Sequence, residues 1–208
     1  MNSTNPFIYS DDNKRYHTLN YYNKSSFNSK VFKAVIDAGF TCPNKDGTKG
    51  TGGCIYCMGG SGYFTEKSDG EIYDSVKRQL AAEKKRIYKK HPYSLITAYF
   101  QANTNTYAPV ATLKEAYTAA LDFGVHGISI GTRADCLPDD VIALLCDINS
   151  KTHLTVELGL QTIHDKSAQI INRCYTYDEF LEGYRKLQES GIPTCLHLID
   201  GLPEESLS

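Results

Sequence analysis

The chain has 208 residues, 41% hydrophobic and 22% charged, which is enough for one sizeable domain with its own core. A net charge of −2 provides no global basic field for nucleic acid, so any such contact would be local. The opening MNSTNPFIYSDDNKRYH lacks an apolar signal region, and no run reaches the ~18 apolar residues that cross a bilayer. A cytoplasmic protein is therefore expected, with its seven cysteines serving metals or catalysis in a reducing compartment.

Taken in chain order, residues 1–30 read as an N-terminal extension. Residues 31–38, VFKAVIDA, read as a first strand, and a glycine-rich loop carrying Cys42, Cys54 and Cys57 follows at once. A helix is predicted over 70–90, with Ser68 and Asp69 as cap candidates and Ile72, Val76, Leu80 and Ile87 on its apolar face. SLITAYFQA is the second strand, and PVATLKEAYTAALDFG is a helix with glycine at its end. GISIGTR is the third strand; PDDVIALLCDIN is a helix with proline near its first turn and Cys146 in its apolar pattern. HLTVELGLQT is the fourth strand, and a helical region over 165–190 is broken near Cys174 to Thr176. TCLHLIDGLP, after the turn at Gly191–Pro193, is the fifth.

This repeated βα order predicts an α/β fold of parallel strands, either a doubly wound sheet or a (β/α) barrel. No G-x-G-x-x-G follows the first strand. The segments leaving the strands (the cysteine loop, QANTNTY, GTRADC, LGLQT and DGLPEE) carry polar or reactive residues, which a barrel would gather at its C-terminal mouth. The chain ends where a helix after strand five should begin, so residues 31–208 are expected to form a partial barrel, truncated after the fifth strand.

The loop CPNKDGTKGTGGCIYC admits three readings. C-x-x-C is a common zinc knuckle, but a closed zinc site takes four ligands. A redox C-x-x-C is a second reading, although this glycine-rich loop lacks the helix N-terminus that lowers a thiol pKa. An iron–sulfur cluster with three protein thiolates and one open iron is the third. Cys136, Cys174 and Cys195 could each pack or function. The run KKRIYKK at 84–90 is compatible with phosphate contact or with a solvated helix end, and Tyr9, Tyr16, Tyr21, Tyr22, Tyr63, Tyr73, Tyr88 and Tyr93 could stack on bases or pack.

DAGFTCPNKDGTKGTGGCIYC resembles the cluster loop of the radical S-adenosylmethionine (SAM) superfamily, in the YhcC/YtqA-type branch related to the Elongator catalytic subunit. RYHTLNYYN, YFQANTNTYAPV, GISIGTRADCLPDDV, VELGLQTIHD, INR and HLIDGLP carry the same resemblance along nearly the whole chain. It implies a [4Fe–4S] cluster on Cys42, Cys54 and Cys57, with SAM chelated at the fourth iron and cleaved reductively to a 5′-deoxyadenosyl radical. It places Tyr56 against the SAM adenine, with Asp200 and Gly201 in the adenine-contacting segment. Gln101 and Asn103 stand where many members carry G-G-E. Thr132 and Arg133 are candidates for the SAM carboxylate or ribose, Arg133 having Asp135 or Asp139 as alternative partners. Glu157 and Gln161 flank strand four as cofactor ligands, since a buried Glu requires partners. His197 is a substrate-side candidate, with a satisfied core histidine as the alternative. The resemblance further implies a tRNA wobble uridine as substrate and an electron donor such as flavodoxin or ferredoxin; the alternatives are the same chemistry on a small molecule or protein, and a non-catalytic zinc-binding or truncated inactive relative. One departure stands out: relatives read G-L-P-G-E where this chain has Glu204, and that glycine would supply an unusual backbone conformation.

Overall fold

Runs rich in β-branched and aromatic residues form five short strands, each hydrogen-bonded in parallel to the next. In the computed structural model, which describes residues 14–57 and 68–206, these are β1 (Val31–Ile36), β2 (Leu95–Phe100), β3 (Gly127–Thr132), β4 (His153–Gln161) and β5 (Thr194–Leu198). A helix α1 (Leu19–Phe27) precedes them. The crossovers are α2 (Ile72–Tyr88), α3 (Val110–Asp122), α4 (Asp139–Asn149) and the pair α5 (Asp165–Ile170) and α6 (Tyr177–Glu189). The sheet order is β1-β2-β3-β4-β5, without the reversal that a doubly wound sheet requires. The architecture is a partial (β/α) barrel.

Strand alternation divides the sheet into two faces. Ala34, Ile36, Ala98, Phe100, Ile128, Ile130, Leu154 and Val156 lie at most 2% exposed. They share one core with Leu80 of α2, Leu113 of α3, Leu145 of α4 and Leu187 of α6. The intervening positions, among them Lys33, Tyr99, Ser129, Glu157, Cys195 and His197, occupy the opposite, concave face. Gly183 lets α6 close on the β3–α4 loop, because a Cβ there would stand 2.0 Å from the Ala134 carbonyl oxygen.

Several boundaries differ from the sequence reading. Helix α1 arises inside the expected extension; only Asn23 of it is buried, so it has no apolar stripe to read. Its Thr18 cap accepts from the Tyr21 N–H, and Phe27 packs edge-on against His126 and His153 at the N-terminal end of the barrel. Ser68 and Asp69 do not cap α2: Glu71 holds that position without a side-chain bond, while the Asp69 N–H donates to Ser75 Oγ. The break in 165–190 spans residues 171–176 and ends on a capping box between Thr176 and Glu179. Cys146 is half-buried against the core.

Glu204 has φ +67°, the left-handed conformation expected of the missing glycine. Its ion pair with Lys166, 2.6 Å long, joins two exposed side chains and contributes little. Left-handed strain of about 1–2 kcal/mol outweighs the roughly 0.5–1 kcal/mol of extra chain entropy that glycine loses on folding. Glu204→Gly is therefore expected to raise Tm by about 1–3 °C in a calorimetric scan; an unchanged or lower Tm would show that the turn is not strained.

Candidate active site

The cysteine loop leaves β1 at the C-terminal end of the sheet. Gln79 of α2 clamps the exit, with Oε1 accepting from the Asp37 N–H at 2.9 Å and Nε2 donating to the Asp37 carbonyl at 2.8 Å. The loop then folds on itself. Lys45 and Asp46 N–H groups donate to the Cys42 carbonyl, those of Lys49 and Gly50 to the Pro43 carbonyl, that of Gly53 to the Asn44 carbonyl and that of Cys57 to the Cys54 carbonyl. Gly50 is required by close packing: a Cβ there would lie 2.4 Å from Asn44 Oδ1 and 3.0 Å from Cys174 Sγ. The loop is thus a bonded unit rather than the flexible span suggested by its composition.

The segment between α5 and α6 forms its seat. The Ile55 N–H donates to the Ile171 carbonyl, and Asn172 Nδ2 donates to the Gly53 carbonyl at 2.8 Å. Asn44, fully buried, donates to the Asn172 carbonyl and, at 3.4 Å, to Cys54 Sγ. On the other flank Lys49 pairs with Asp135 at 2.7 Å and with Glu179 at 3.2 Å. Asn103 has φ +61° and braces the loop from β2, accepting from Lys45 Nζ at 2.7 Å and donating to the Phe40 carbonyl at 2.8 Å.

Cys42, Cys54 and Cys57 are all free thiols, graded from buried through half-buried to exposed. Burial raises the Cys54 thiol pKa, while Tyr56, Asn44 and Arg133 act to lower it. The half-exposed Tyr56 lies beside Cys54, and its hydroxyl is held far above the usual range, first by burial and then by the Cys54 charge. Among the described residues, no three or more His, Cys, Asp or Glu side chains converge as ligands of a single ion. Thiolates binding different irons of one cluster need not converge in that way. The three free thiols, an N–H aimed at one sulfur and the nearby Arg133 charge fit a thiolate-held iron–sulfur cluster.

Arg133 takes the alternative partner weighed from sequence. Its Nε and Nη2 donate to the two oxygens of Asp135 at 2.9 and 2.8 Å, and its remaining bonds reach the Arg173 and Cys174 carbonyls. Its fork is thereby committed to Asp135 and the loop seat. The Asp135 carboxyl is raised by burial, but Arg133 and Lys49 outweigh this and hold it below the usual range. Thr132 is buried and shares a 2.6 Å hydrogen bond with Thr106. The buried Thr104 hydroxyl has no partner among the described residues, and the Thr104 backbone N–H donates to the Thr41 carbonyl. Gln101 is exposed, and Gln161, at φ +63°, folds its amide back over Gly159. Asp200 and Gly201 lie exposed beyond β5.

The concave face holds a charge cluster that sequence reading found only in part. Glu157, 4% exposed, receives Lys33 Nζ and Ser129 Oγ (2.6 Å) on Oε1, and His197 Nε2 lies 2.9 Å from Oε2. Burial pushes the carboxyl up, yet the bonds from His197, Lys33 and Ser129 outweigh it and bring the pKa down to about 2. The buried Tyr99 hydroxyl is pushed upward by burial and by the Glu157 charge, and Lys33 Nζ sits 4.0 Å from the Tyr99 ring centroid. Each of the five strands contributes one member. Contact between β1 and β4, three strands apart, requires a curled sheet, since neighbouring strands are about 4.8 Å apart and side chains stand perpendicular to them. Lys33 went unread because, within VFKAVIDA, only closure brings it to Glu157.

The other cysteines separate clearly. Cys136 is buried and its thiol is pushed up to about 12, first by burial and then by Asp135, which marks it as packing. Cys174 packs on Gly50 at φ +60°, and Cys195 is exposed on the concave face beside Glu157. The KKRIYKK run closes α2 at the N-terminal end of the barrel, opposite the cysteine loop. There Lys84 stacks over Tyr88 and Phe123, and Arg86 pairs with Glu83. Tyr73 bonds Asp122, while Tyr16, Tyr22 and Tyr93 are exposed; Tyr9 and Tyr63 lie outside the described residues. No described helix is long and apolar enough to cross a membrane.

Residues 46–208 match the profile of the family described as the Radical SAM superfamily. YtqA of Bacillus subtilis (strain 168) is 48% identical over 207 residues, covering 99% of this chain and 63% of YtqA. YhcC of Escherichia coli (strain K12) is 38% identical over 181 residues, covering 86% of this chain and 56% of YhcC. The protein MJ0486 of Methanocaldococcus jannaschii is 35% identical over 192 residues, covering 89% and 56%. The chain thus spans less than two thirds of the length of these relatives. Among solved structures, the archaeal Methanocaldococcus infernus Elp3 with an N-terminal deletion aligns with TM-score 0.55 and 16% identity, over 86% of this chain and 40% of that one. At that identity, the likeness is one of fold.

Proposed function

The chain belongs to the radical SAM superfamily, and we propose that it forms the barrel of an enzyme holding a [4Fe–4S] cluster on Cys42, Cys54 and Cys57 and modifying the wobble uridine of tRNA at its carbon-5 substituent. When bound, such a cluster supplies one-electron reductive cleavage of the SAM sulfonium, the source of a hydrogen-abstracting 5′-deoxyadenosyl radical. The observation that carries the reading is the set of three free thiols on a rigid loop beside a polar concave face.

The chain's own residues bind, orient and exclude water. Asn44, Asn172 and the Arg133–Asp135–Lys49 group hold the loop; Tyr56 offers its ring at the mouth to the SAM adenine. Thr104 and Thr132, with the backbone of Gln101 and Asn103, line the β2 and β3 side, and Gln161, Asp200 and Gly201 the β4 and β5 side. Both oxygens of Glu157 are occupied by protein donors, so it acts through Lys33 and His197, which face the substrate side half-exposed. The tRNA substrate rests on the resemblance of the sequence motifs to the Elongator-related branch, and not on KKRIYKK, which lies at the far end. An external electron donor of flavodoxin or ferredoxin type completes the scheme.

Anaerobic reconstitution with iron and sulfide tests the chemistry. The protein should acquire the visible absorption of a Cys-ligated cluster and, with dithionite and SAM, release 5′-deoxyadenosine. Cys42→Ala, Cys54→Ala and Cys57→Ala should each abolish both. A colourless protein carrying stoichiometric zinc would sink the enzyme reading. Nucleoside analysis of tRNA from a strain lacking the full-length protein tests the substrate, and an unchanged profile removes tRNA alone.

A further inference from the structure

Among the described residues, Asn44 donates the one side-chain N–H bond to a sulfur of the three loop cysteines, at 3.4 Å to Cys54. The amide is fully buried, and its second N–H is committed to the Asn172 carbonyl. The Asn44 carbonyl accepts from the Gly53 N–H, so the residue is fixed at both ends of the cysteine loop. Its Oδ1 is buried and has no hydrogen-bond partner among the described residues, so only the N–H side of the amide is used. The Asn172 carbonyl fixes the orientation, since it can face only the amide's N–H side, and Gly50 leaves room for Oδ1, which a Cβ would meet at 2.4 Å. Among the described residues, no side-chain N–H donates to Cys42 or Cys57.

We propose that Asn44 is a positioning residue that sets the reduction potential of the cluster through Cys54. This rests on the cluster reading above. An N–H directed at a ligating thiolate stabilises negative charge on the sulfur, and the reduced cluster carries one more negative charge than the oxidised one. The bond therefore favours the reduced state and makes the potential less negative than three unassisted thiolates would give. It also links the potential to the loop seat, because the same amide group holds Asn172.

The test is a redox titration of the anaerobically reconstituted protein, followed by the paramagnetic signal of the reduced cluster. Asn44→Ala should lower the equilibrium constant for reduction about tenfold, a shift of about 59 mV to more negative potential for one electron. Asn44→Asp, which keeps the shape but lacks the donor and adds charge, should shift it at least as far. A variant that assembles the cluster with wild-type potential overturns the proposal, since a merely structural role would change yield and not potential. If neither variant assembles, wild-type protein labelled with nitrogen-15 only in asparagine side-chain amides should show a nitrogen-15 coupling to the reduced cluster; none would overturn the proposal. Absence of any cluster from wild-type protein instead overturns the reading on which the proposal rests.

Discussion

Arg173→Met is expected to destabilise the protein by at least about 2 kcal/mol, lowering Tm by at least about 4–8 °C. The Arg173 side chain is fully buried and is the largest such group among the described residues. Its Nε donates to the Tyr175 carbonyl at 3.0 Å, and Nη1 donates to the Leu160 and Thr162 carbonyls at 2.6 and 2.7 Å. The guanidinium lies 4.4 Å from the Tyr175 ring centroid. Methionine fills much of the volume but strands the Tyr175 and Thr162 carbonyls, each costing about 1–3 kcal/mol, while the Leu160 carbonyl keeps the Thr162 N–H at 2.7 Å. Arg173 joins the end of β4 to the segment bearing Asn172, so cluster assembly should fall with stability. Lysine cannot reproduce the fork and should recover only part of the loss. A urea-unfolding free energy within about 1 kcal/mol of wild type would show that the Tyr175 and Thr162 carbonyls find other donors.

The second large effect is expected at Glu157. Glu157→Gln keeps the shape but removes the charge that Lys33, Ser129 and His197 serve, with an expected loss of about 2–3 kcal/mol at neutral pH. Lys33 is partly exposed and can take water, which holds the loss below that of a sealed pair. The sign of the pH dependence follows from the depressed carboxyl. Its folded pKa is about 2, against about 4.3 in an unfolded chain. The stabilisation is therefore complete above about pH 4.3 and is lost as pH falls toward 2. Urea midpoints of wild type and Glu157→Gln should converge across that window. A gap that stays constant from pH 5 to pH 2 would show that the carboxylate is not its source.

Much of the site was legible because its chemistry is carried by residue type and spacing. Three cysteines within sixteen residues point to a metal whatever the fold, and Glu157 on an apolar strand demands partners wherever it lies. Glu204 was legible as a misfit, and its left-handed backbone bears this out. Asn44, by contrast, reads as an ordinary loop asparagine until the chain folds back and sets it beside Cys54. Arg133 was readable as a carboxylate binder, but whether the carboxylate belonged to Asp135 or to a ligand depended on the loop two residues onward.

The βα alternation, the single core and the three-thiol loop are written in local pattern, because periodicity, glycine punctuation and cysteine spacing act over a few residues. Which residues meet across the sheet depends on how the chain closes. Curling of five parallel strands brings Lys33 from β1 to Glu157 on β4 and His197 on β5, a separation of 124 residues for the first pair. The same topology sends the basic end of α2 to the far side from the cysteines, since a crossover helix must return to where the next strand begins. No local pattern encodes either outcome, because both follow from closure of the sheet.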